Sequence, residues 1–121
     1  MARPRVLVVD DAQANLDLAR YVLEAAGFDV EEALDVDRAW ARLRAVRPDV
    51  ILVDIQLPGT DGLTLVRAIK VTPGLDDIPV IAFTAYAMAG DDQRFLAAGC
   101  DGYLAKPIDV RTFAASVRRY L

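Results

Sequence analysis

Histidine is absent from the 121 residues, and cysteine occurs once, at Cys100. The first absence excludes serine-type catalytic triads, histidine-ligated metal sites and a phosphohistidine on the chain itself. The second excludes an internal disulfide and is typical of a protein of the reducing cytoplasm. We therefore expect a cytoplasmic protein whose chemistry rests on other side chains.

Long apolar runs and an excess of positive charge are also missing. No stretch approaches the roughly 18 apolar residues of a membrane span, and the N-terminus lacks the apolar core of a secretory signal. Fourteen basic residues stand against eighteen acidic ones, which gives a net charge of −4. Because nucleic acids and anionic membranes are bound by positive surfaces, neither is expected as a partner.

The residues that are present describe one folded domain. Hydrophobic residues make up 55% of the chain, which excludes disorder, and the length fits a single domain spanning residues 1–121. Short apolar runs, mostly β-branched and bounded by Asp, Gly and Pro, alternate with longer amphipathic stretches. They predict five strands, at residues 6–9, 28–33, 50–53, 79–83 and 102–105.

Apolar residues at helical spacing lie after each predicted strand. Five stripes result: Leu16, Ala19, Leu23 and Ala26; Val36, Ala39, Trp40 and Leu43; Leu63, Val66 and Ile69; Met88, Phe95 and Leu96; and Val110, Phe113, Ala114, Val117 and Leu121. The alternation predicts a (βα)5 α/β fold, a doubly wound parallel five-stranded sheet with helices on both faces. The second and fifth strands are the more polar and are expected at the edges.

Polar residues follow the predicted strands at their carboxyl ends, where such sheets bind ligands. Asp10 and Asp11 follow the first strand, Asp54 the third, Thr84 the fourth and Lys106 the fifth. Each alone is an ordinary cap or turn residue. Together they predict a functional site, because unrelated turns have no reason to place this set at one edge.

The chemistry of this set points to phosphoryl transfer. Three neighbouring carboxylates cannot all stay ionised without a countercharge, and an all-oxygen donor set favours Mg²⁺, with Mn²⁺ as an alternative. Only Lys70 and Lys106 are lysines among the fourteen basic residues, which suggests a compact positive charge at position 106. A carboxylate in such a site can attack phosphorus and form an acyl phosphate while the cations neutralise the phosphoryl oxygens.

Four motifs, in this order and spacing, resemble the receiver domain of two-component response regulators. They are LVVDD, VDIQLPGTDG, FTAYAM and GYLAKPI, and the resemblance covers essentially the whole chain. The details are most similar to stand-alone receivers of the DivK kind and to receivers of hybrid kinases. The resemblance implies the flavodoxin-like, CheY-like strand order 2-1-3-4-5 and a chain without an effector domain.

The resemblance also implies roles for individual residues. Asp54 would accept the phosphoryl group. Asp11 and Asp54, with the backbone carbonyl of Gln56, would hold Mg²⁺, and Asp10 would bind it directly or through water. Lys106 would pair with the phosphoryl group and precede a cis peptide bond to Pro107. Thr84 and Tyr103 would form the switch pair, beside a small residue at Ala85. The side chains of Gln56 and Tyr86 would tune dephosphorylation, with bulky Tyr86 slowing it.

The partners implied are a donor and a target. A histidine kinase or histidine phosphotransfer protein would deliver the phosphoryl group, docking near Ala12, Ala14, Leu16 and Pro107. Phosphorylation would change the face made by the fourth helix, fifth strand and fifth helix, which includes Met88, Phe95, Tyr103, Arg111 and Arg118. A monomer, or a weak dimer formed on phosphorylation, would present that face to a protein target.

Three other interpretations compete with this one. A phosphohydrolase using Asp54 would need a second acid two positions on, where the chain has Gln56. A flavin or nucleotide binder would need a glycine- or hydroxyl-rich loop after the first strand, where the chain has Asp10 and Asp11. A constitutive adaptor that works without phosphorylation remains open. A receiver catalyses only its own phosphorylation and slow dephosphorylation, so no conventional enzyme is expected.

Overall fold

Consecutive apolar residues, most of them β-branched, form the strands of a computed structural model that describes residues 3–57, 59–85 and 91–121. Within these ranges the strands are β1 (Arg5–Val9), β2 (Asp29–Ala33), β3 (Val50–Asp54), β4 (Gln56–Leu57), β5 (Thr60–Asp61), β6 (Val80–Thr84) and β7 (Gly102–Ala105). The helices are α1 (Gln13–Ala25), α2 (Val36–Ala45), α3 (Gly62–Lys70), α4 (Asp91–Ala98) and α5 (Phe113–Arg118). The predicted alternation of strands and helices is confirmed.

Five parallel strands form the main sheet in the order β2-β1-β3-β6-β7. This is the predicted order 2-1-3-4-5 once the two short strands β4 and β5 are left out of the count, and the polar strands β2 and β7 lie at the edges as expected. The predicted third and fourth strands ended one residue too early. Asp54 pairs with Phe83 and Thr84 with Ala105, so both are the last residues of their strands.

Each face of the sheet carries its own apolar core because successive strand residues point to opposite sides. One core joins alternate strand residues such as Ile51 and Val53 to helices α2, α3 and α4. The other joins residues such as Leu52 and Phe83 to α1 and α5. The helices thereby hold the central strands rigidly, and with them the residues at their carboxyl ends.

A two-stranded hairpin between β3 and α3 was not predicted. In it, Gln56 pairs with Asp61 and Leu57 with Thr60 in antiparallel fashion. Asp61 then caps α3 by accepting a hydrogen bond of 2.9 Å from the backbone N–H of Leu63. The hairpin returns the chain to the end of β3, so that α3 starts directly beside Asp54.

Two of the predicted helical stripes were partly wrong. Leu96 is 61% exposed, because its neighbours Phe95 and Ala98 occupy the inward face of α4. Val110 and Leu121 are 57% and 52% exposed, because α5 runs only from Phe113 to Arg118. Met88 lies outside the described residues. None of the helices in the described ranges is long and apolar enough to cross a membrane.

The buried thiol of Cys100 makes the free energy of unfolding fall as the pH rises in the alkaline range. Burial raises the pKa of this thiol from 9.0 to about 11. A pKa raised by folding stabilises the native state below the unfolded pKa, and that contribution is lost as the pH rises through the folded pKa. Between about pH 8 and pH 11 we expect the wild type to lose about 2 kcal/mol more unfolding free energy than Cys100→Ala. Urea denaturation across this range measures the difference, and parallel pH profiles of the two proteins would contradict it.

Candidate functional site

Asp54 ends the central strand β3 and is nearly enclosed, with only 4% of its surface exposed. Its Oδ1 accepts a hydrogen bond of 2.9 Å from the backbone N–H of Gln56, the first residue of the hairpin. The chain therefore turns around the carboxylate and holds one of its two oxygens. The side chain of Gln56 itself is exposed.

Asp10 and Asp11 lie beside Asp54, because β1 is the neighbour of β3 in the sheet. Asp10 is fully buried and Asp11 is exposed. Each of the three residues offers one carboxylate oxygen, and these oxygens all lie within 4.8 Å of one another. The predicted acidic cluster is thus assembled at the carboxyl edge of the sheet.

Lys106 brings the positive charge to this cluster from the far side of the sheet. Its Nζ lies 2.9 Å from Oδ2 of Asp10 and 3.0 Å from Oδ2 of Asp54. The ammonium group also lies 5.1 Å from the centre of the Phe83 ring, within cation–π range. The peptide bond between Lys106 and Pro107 is cis, as predicted.

The pKa values of Asp54 and Lys106 are set by the burial of both groups and by their charged neighbours. Burial raises the pKa of Asp54, and the Asp10 charge adds to the rise, against the opposing effects of the Gln56 N–H and the Lys106 ammonium. For Lys106, burial alone would lower the pKa, but the hydrogen bonds and charges of Asp10 and Asp54 together raise it. Lys106 is therefore protonated at neutral pH and holds both carboxylates.

Thr84 and Tyr103 lie on the neighbouring strands β6 and β7, and Tyr103 pairs with Ala82, two residues before Thr84. Thr84 is 3% exposed, and its carbonyl oxygen accepts a hydrogen bond of 2.8 Å from the backbone N–H of Lys106. Tyr103 lies on the edge strand β7, is 46% exposed, and packs its ring against Phe95 of α4 with 5.8 Å between ring centres. Tyr86 lies outside the described residues.

The donor set suits a hard divalent cation. All three clustered side chains are carboxylates, and in the described part of the chain the ammonium of Lys106 is the cation paired with two of them. Three carboxylates and one ammonium leave excess negative charge in a largely buried place, which a divalent ion would neutralise. The residues therefore fit Mg²⁺, with the exposed Asp11 on the open side.

Two residues of the site were missed by the sequence reasoning. Asn15 on α1 donates from its side-chain amide to Asp10 at 3.2 Å. Gly62, the first residue of α3, packs so closely that a Cβ there would overlap the carbonyl oxygen of Asp54 and lie 2.8 Å from Cα of Ile55. The Asp-Gly pair that ends the VDIQLPGTDG motif was the available signal for Gly62. Nothing in the spacing of Asn15 distinguished it from an ordinary helical asparagine.

The proposed docking contacts were partly wrong. Leu16 is only 1% exposed and belongs to the core under α1, so it cannot contact a partner. Ala14 and Pro107 are exposed and Ala12 is half-buried. On α5, the Arg118 side chain is engaged with its own chain, since it donates to the carbonyl oxygen of Ala26 at 2.6 Å. It is therefore a structural residue as well as a surface charge.

A separate cleft of about 400 Å³ opens at the amino ends of the strands, lined by Arg3, Pro4, Asp49, Pro79, Tyr120 and Leu121. Its charged groups are already used by the fold. Arg3 pairs with Asp29 at 3.1 Å, and Asp49 accepts a hydrogen bond of 2.7 Å from the backbone N–H of Arg5. In the described ranges, the clustered carboxylates and the ammonium that two of them share lie at the opposite edge of the sheet.

The chain is similar to proteins of one known family. The model of the response regulator receiver domain family matches residues 6–118. The polar-differentiation response regulator DivK of Brucella anthropi is 40% identical over 116 residues, which cover 96% of this chain and 94% of that protein. The chemotaxis protein CheY4 of Vibrio cholerae is similar in structure, with a TM-score of 0.94 at 30% identity over 99% of this chain and 100% of that one.

A further relative holds an ion in its active-site cleft. The receiver domain of a sensor histidine kinase from Pseudomonas aeruginosa, whose structure contains a coordinated magnesium ion, gives a TM-score of 0.87 at 32% identity over 98% of both chains. Receiver domains are signalling switches of two-component systems. From its sequence, its sheet topology and its acidic cluster, this chain belongs to the response regulator receiver domain family.

Proposed function

We propose that the chain is a phosphorylation-dependent switch that accepts a phosphoryl group on Asp54 from a phosphohistidine. The observation that carries the proposal is the pairing of the buried Asp54 carboxylate with Lys106 inside a cluster of carboxylates. The chain has no histidine, so the phosphohistidine must belong to another protein. A histidine kinase or a histidine phosphotransfer protein is the expected donor.

The transfer moves one phosphoryl group without an external oxidant or acid. A carboxylate oxygen of Asp54 attacks phosphorus in line and the P–N bond of the phosphohistidine breaks. The imidazole, which already carries a proton on its other ring nitrogen, leaves with the bonding electron pair as the neutral ring. The product is an aspartyl phosphate. The Gln56 N–H fixes the orientation of the carboxylate, and the Lys106 ammonium neutralises charge on the transferred group.

Asp10, Asp11 and Asp54, together with the backbone carbonyl of Gln56, are the groups we assign to Mg²⁺. The ion would supply electrostatic stabilisation of the phosphoryl oxygens. Mn²⁺ has the same preference for oxygen ligands and should substitute for it. Of the protein groups, Asp10 is held most tightly, since it is fully buried and paired with Lys106.

Thr84 and Tyr103 are the residues we assign to the switch. Thr84 ends β6 next to the site, and the Tyr103 ring can become more buried, since 46% of its surface is now exposed. A phosphoryl group that draws the Thr84 hydroxyl toward Asp54 would favour an inward position of the ring. The face of α4, β7 and α5, with exposed Leu96 and Tyr103, would then change its fit to a protein target in the cytoplasm, or to a second copy in a weak dimer.

Intact mass after incubation with a small phosphodonor tests the proposal. With acetyl phosphate or phosphoramidate and Mg²⁺ we expect a single phosphoryl adduct, which hydroxylamine removes because it is an acyl phosphate. Chelation of the ion by EDTA should reduce the adduct by at least about 100-fold, since the carboxylates then repel the phosphoryl group. Mn²⁺ should restore it.

The controls separate the possible failures. Calorimetric titration with Mg²⁺ shows directly whether the ion binds. A protein that binds Mg²⁺ but forms no adduct with either small donor or with a phosphorylated histidine phosphotransfer protein would overturn the switch and support a constitutive adaptor. An adduct that resists hydroxylamine would place the phosphoryl group on a hydroxyl side chain instead.

A further inference from the structure

Asn15 connects the first turn of α1 to the buried carboxylate of the site. Its side-chain amide lies 3.2 Å from Oδ2 and 3.4 Å from Oδ1 of Asp10. The same carboxylate accepts a hydrogen bond of 2.9 Å from the backbone N–H of Ala12 on Oδ1, and Lys106 lies 2.9 Å from Oδ2. Asp10 is fully buried. Donors from three directions therefore fix both the position and the plane of this carboxylate.

The contact is not an ordinary helix cap. The N-cap residue of α1 is Ala12, which makes no side-chain capping bond. Asn15 lies inside the helix, where asparagine is a poor helix former. Its amide contacts Asp10 beyond the helix end, whereas the amide of Gln13 in the same turn contacts Asp17 on the helix surface at 2.9 Å. Helix α1 therefore has a poor helix former, Asn15, at a position from which its side chain contacts Asp10 of the acidic cluster.

We infer that Asn15 is a positioning residue for the metal site, because it orients Asp10 toward the oxygens of Asp11 and Asp54. The inference rests on the proposed Mg²⁺-dependent function. Hydrogen bonds to a ligand from outside the coordination shell orient that ligand, and their removal typically weakens metal binding by about 10-fold to 100-fold. Among the described residues, the donors that the Asp10 carboxylate keeps without the amide are the Ala12 N–H and the Lys106 ammonium, and Lys106 is shared with Asp54.

Mg²⁺ affinity, measured by calorimetric titration, tests the inference independently of phosphorylation. We expect Asn15→Ala to raise the Kd for Mg²⁺ by at least about 10-fold. The matched control Gln13→Ala removes an amide from the same helical turn and should leave the Kd within about twofold of wild type. Alanine is the better helix former, so a purely helical role for Asn15 predicts a higher Tm and an unchanged Kd. That result would overturn the inference.

A second variant separates the donor from the space it fills. Asn15→Leu fills about the same space but has no donor, so we expect it to raise the Kd for Mg²⁺ as Asn15→Ala does. A Kd equal to that of wild type would contradict the inference.

Wild-type titration distinguishes this inference from the function it rests on. If the wild type binds Mg²⁺ and Asn15→Ala binds it equally well, the role of Asn15 is wrong and the proposed function stands. If the wild type itself binds no Mg²⁺, the magnesium site is wrong and the role of Asn15 is wrong with it.

Discussion

Asp54→Asn is expected to lose the phosphoryl adduct completely, with at least a 100-fold reduction against wild type under the same donor and Mg²⁺. The amide has neither the charge nor the nucleophilic oxygen pair of the carboxylate. The backbone N–H of Gln56 can still donate to the amide oxygen of the new side chain, and Lys106 keeps its contact of 2.9 Å with Asp10. Intact mass spectrometry measures the adduct.

The same variant should be at least as stable as wild type. Burial raises the pKa of Asp54, which means that the charged form opposes folding, and a neutral side chain of the same shape removes that penalty. Urea denaturation near neutral pH should therefore give an unfolding free energy no lower than that of wild type. A lost adduct in a destabilised protein would leave unfolding as the explanation, and this measurement excludes it.

Asp76→Asn is the matched control, because Asp76 is exposed in the loop between α3 and β6, away from the acidic cluster. It should form the same amount of adduct as wild type. An adduct of undiminished size on Asp54→Asn would show that another residue accepts the phosphoryl group.

Gly62→Ala should both destabilise the fold and slow phosphorylation. A Cβ at this position overlaps the carbonyl oxygen of Asp54 and lies 2.8 Å from Cα of Ile55, and backbone atoms cannot move aside as a flexible side chain can. Overpacking of this kind typically costs about 1–3 kcal/mol, and we expect a loss of about 3 kcal/mol. At an ordinary helical position the same change would instead stabilise by up to about 1 kcal/mol, so the sign is diagnostic.

The chemical effect follows from the place of the clash. The clash falls on the backbone of Asp54 itself, and a shift of the end of β3 would move the Asp54 carboxylate relative to Lys106 and to the N–H of Gln56. A displacement of about 1 Å can reduce a phosphoryl-transfer rate by about 100-fold. Time courses of the adduct with acetyl phosphate measure the rate at a temperature where the variant is folded.

Gly74→Ala provides the control for glycine replacement itself. Gly74 has a φ of +86°, and a Cβ at this position would have no neighbour within 4 Å, so alanine there is strained by its backbone alone. We expect a loss of about 1 kcal/mol and an unchanged rate of phosphorylation. A Gly62→Ala protein that matches wild type in both stability and rate would show that the hairpin accommodates the methyl group.

The fold was predictable because its signals are local. Strand and helix periodicity placed the five main strands and the order of elements, and the polar residues after the strands located the site. The hairpin was not predictable, since β4 and β5 are two residues each and their pairing depends on α3 packing against β3. The buried faces of α4 and α5 were also predicted incorrectly, because apolar residues such as Leu96 and Val110 fit a helical pattern without being buried.

The composition of the site was predictable and its internal contacts were not. Asp10, Asp54 and Lys106 could be named from their places after strands, but nothing local shows that one ammonium is shared between two carboxylates. The contacts of Asn15 and Gly62 depend on how α1 and α3 approach the sheet. Such contacts are tertiary, and periodicity carries no information on them.

The bond between Lys106 and Asp54 joins residues that are 52 positions apart, and Lys106 also reaches Asp10 near the start of the chain. Closing such a long loop carries a larger entropic cost than closing a short one. During synthesis the three aspartates leave the ribosome before their lysine does, because they lie on or directly after β1 and β3. The carboxylates are therefore without their ammonium in every nascent chain that ends before Lys106, which follows the last strand.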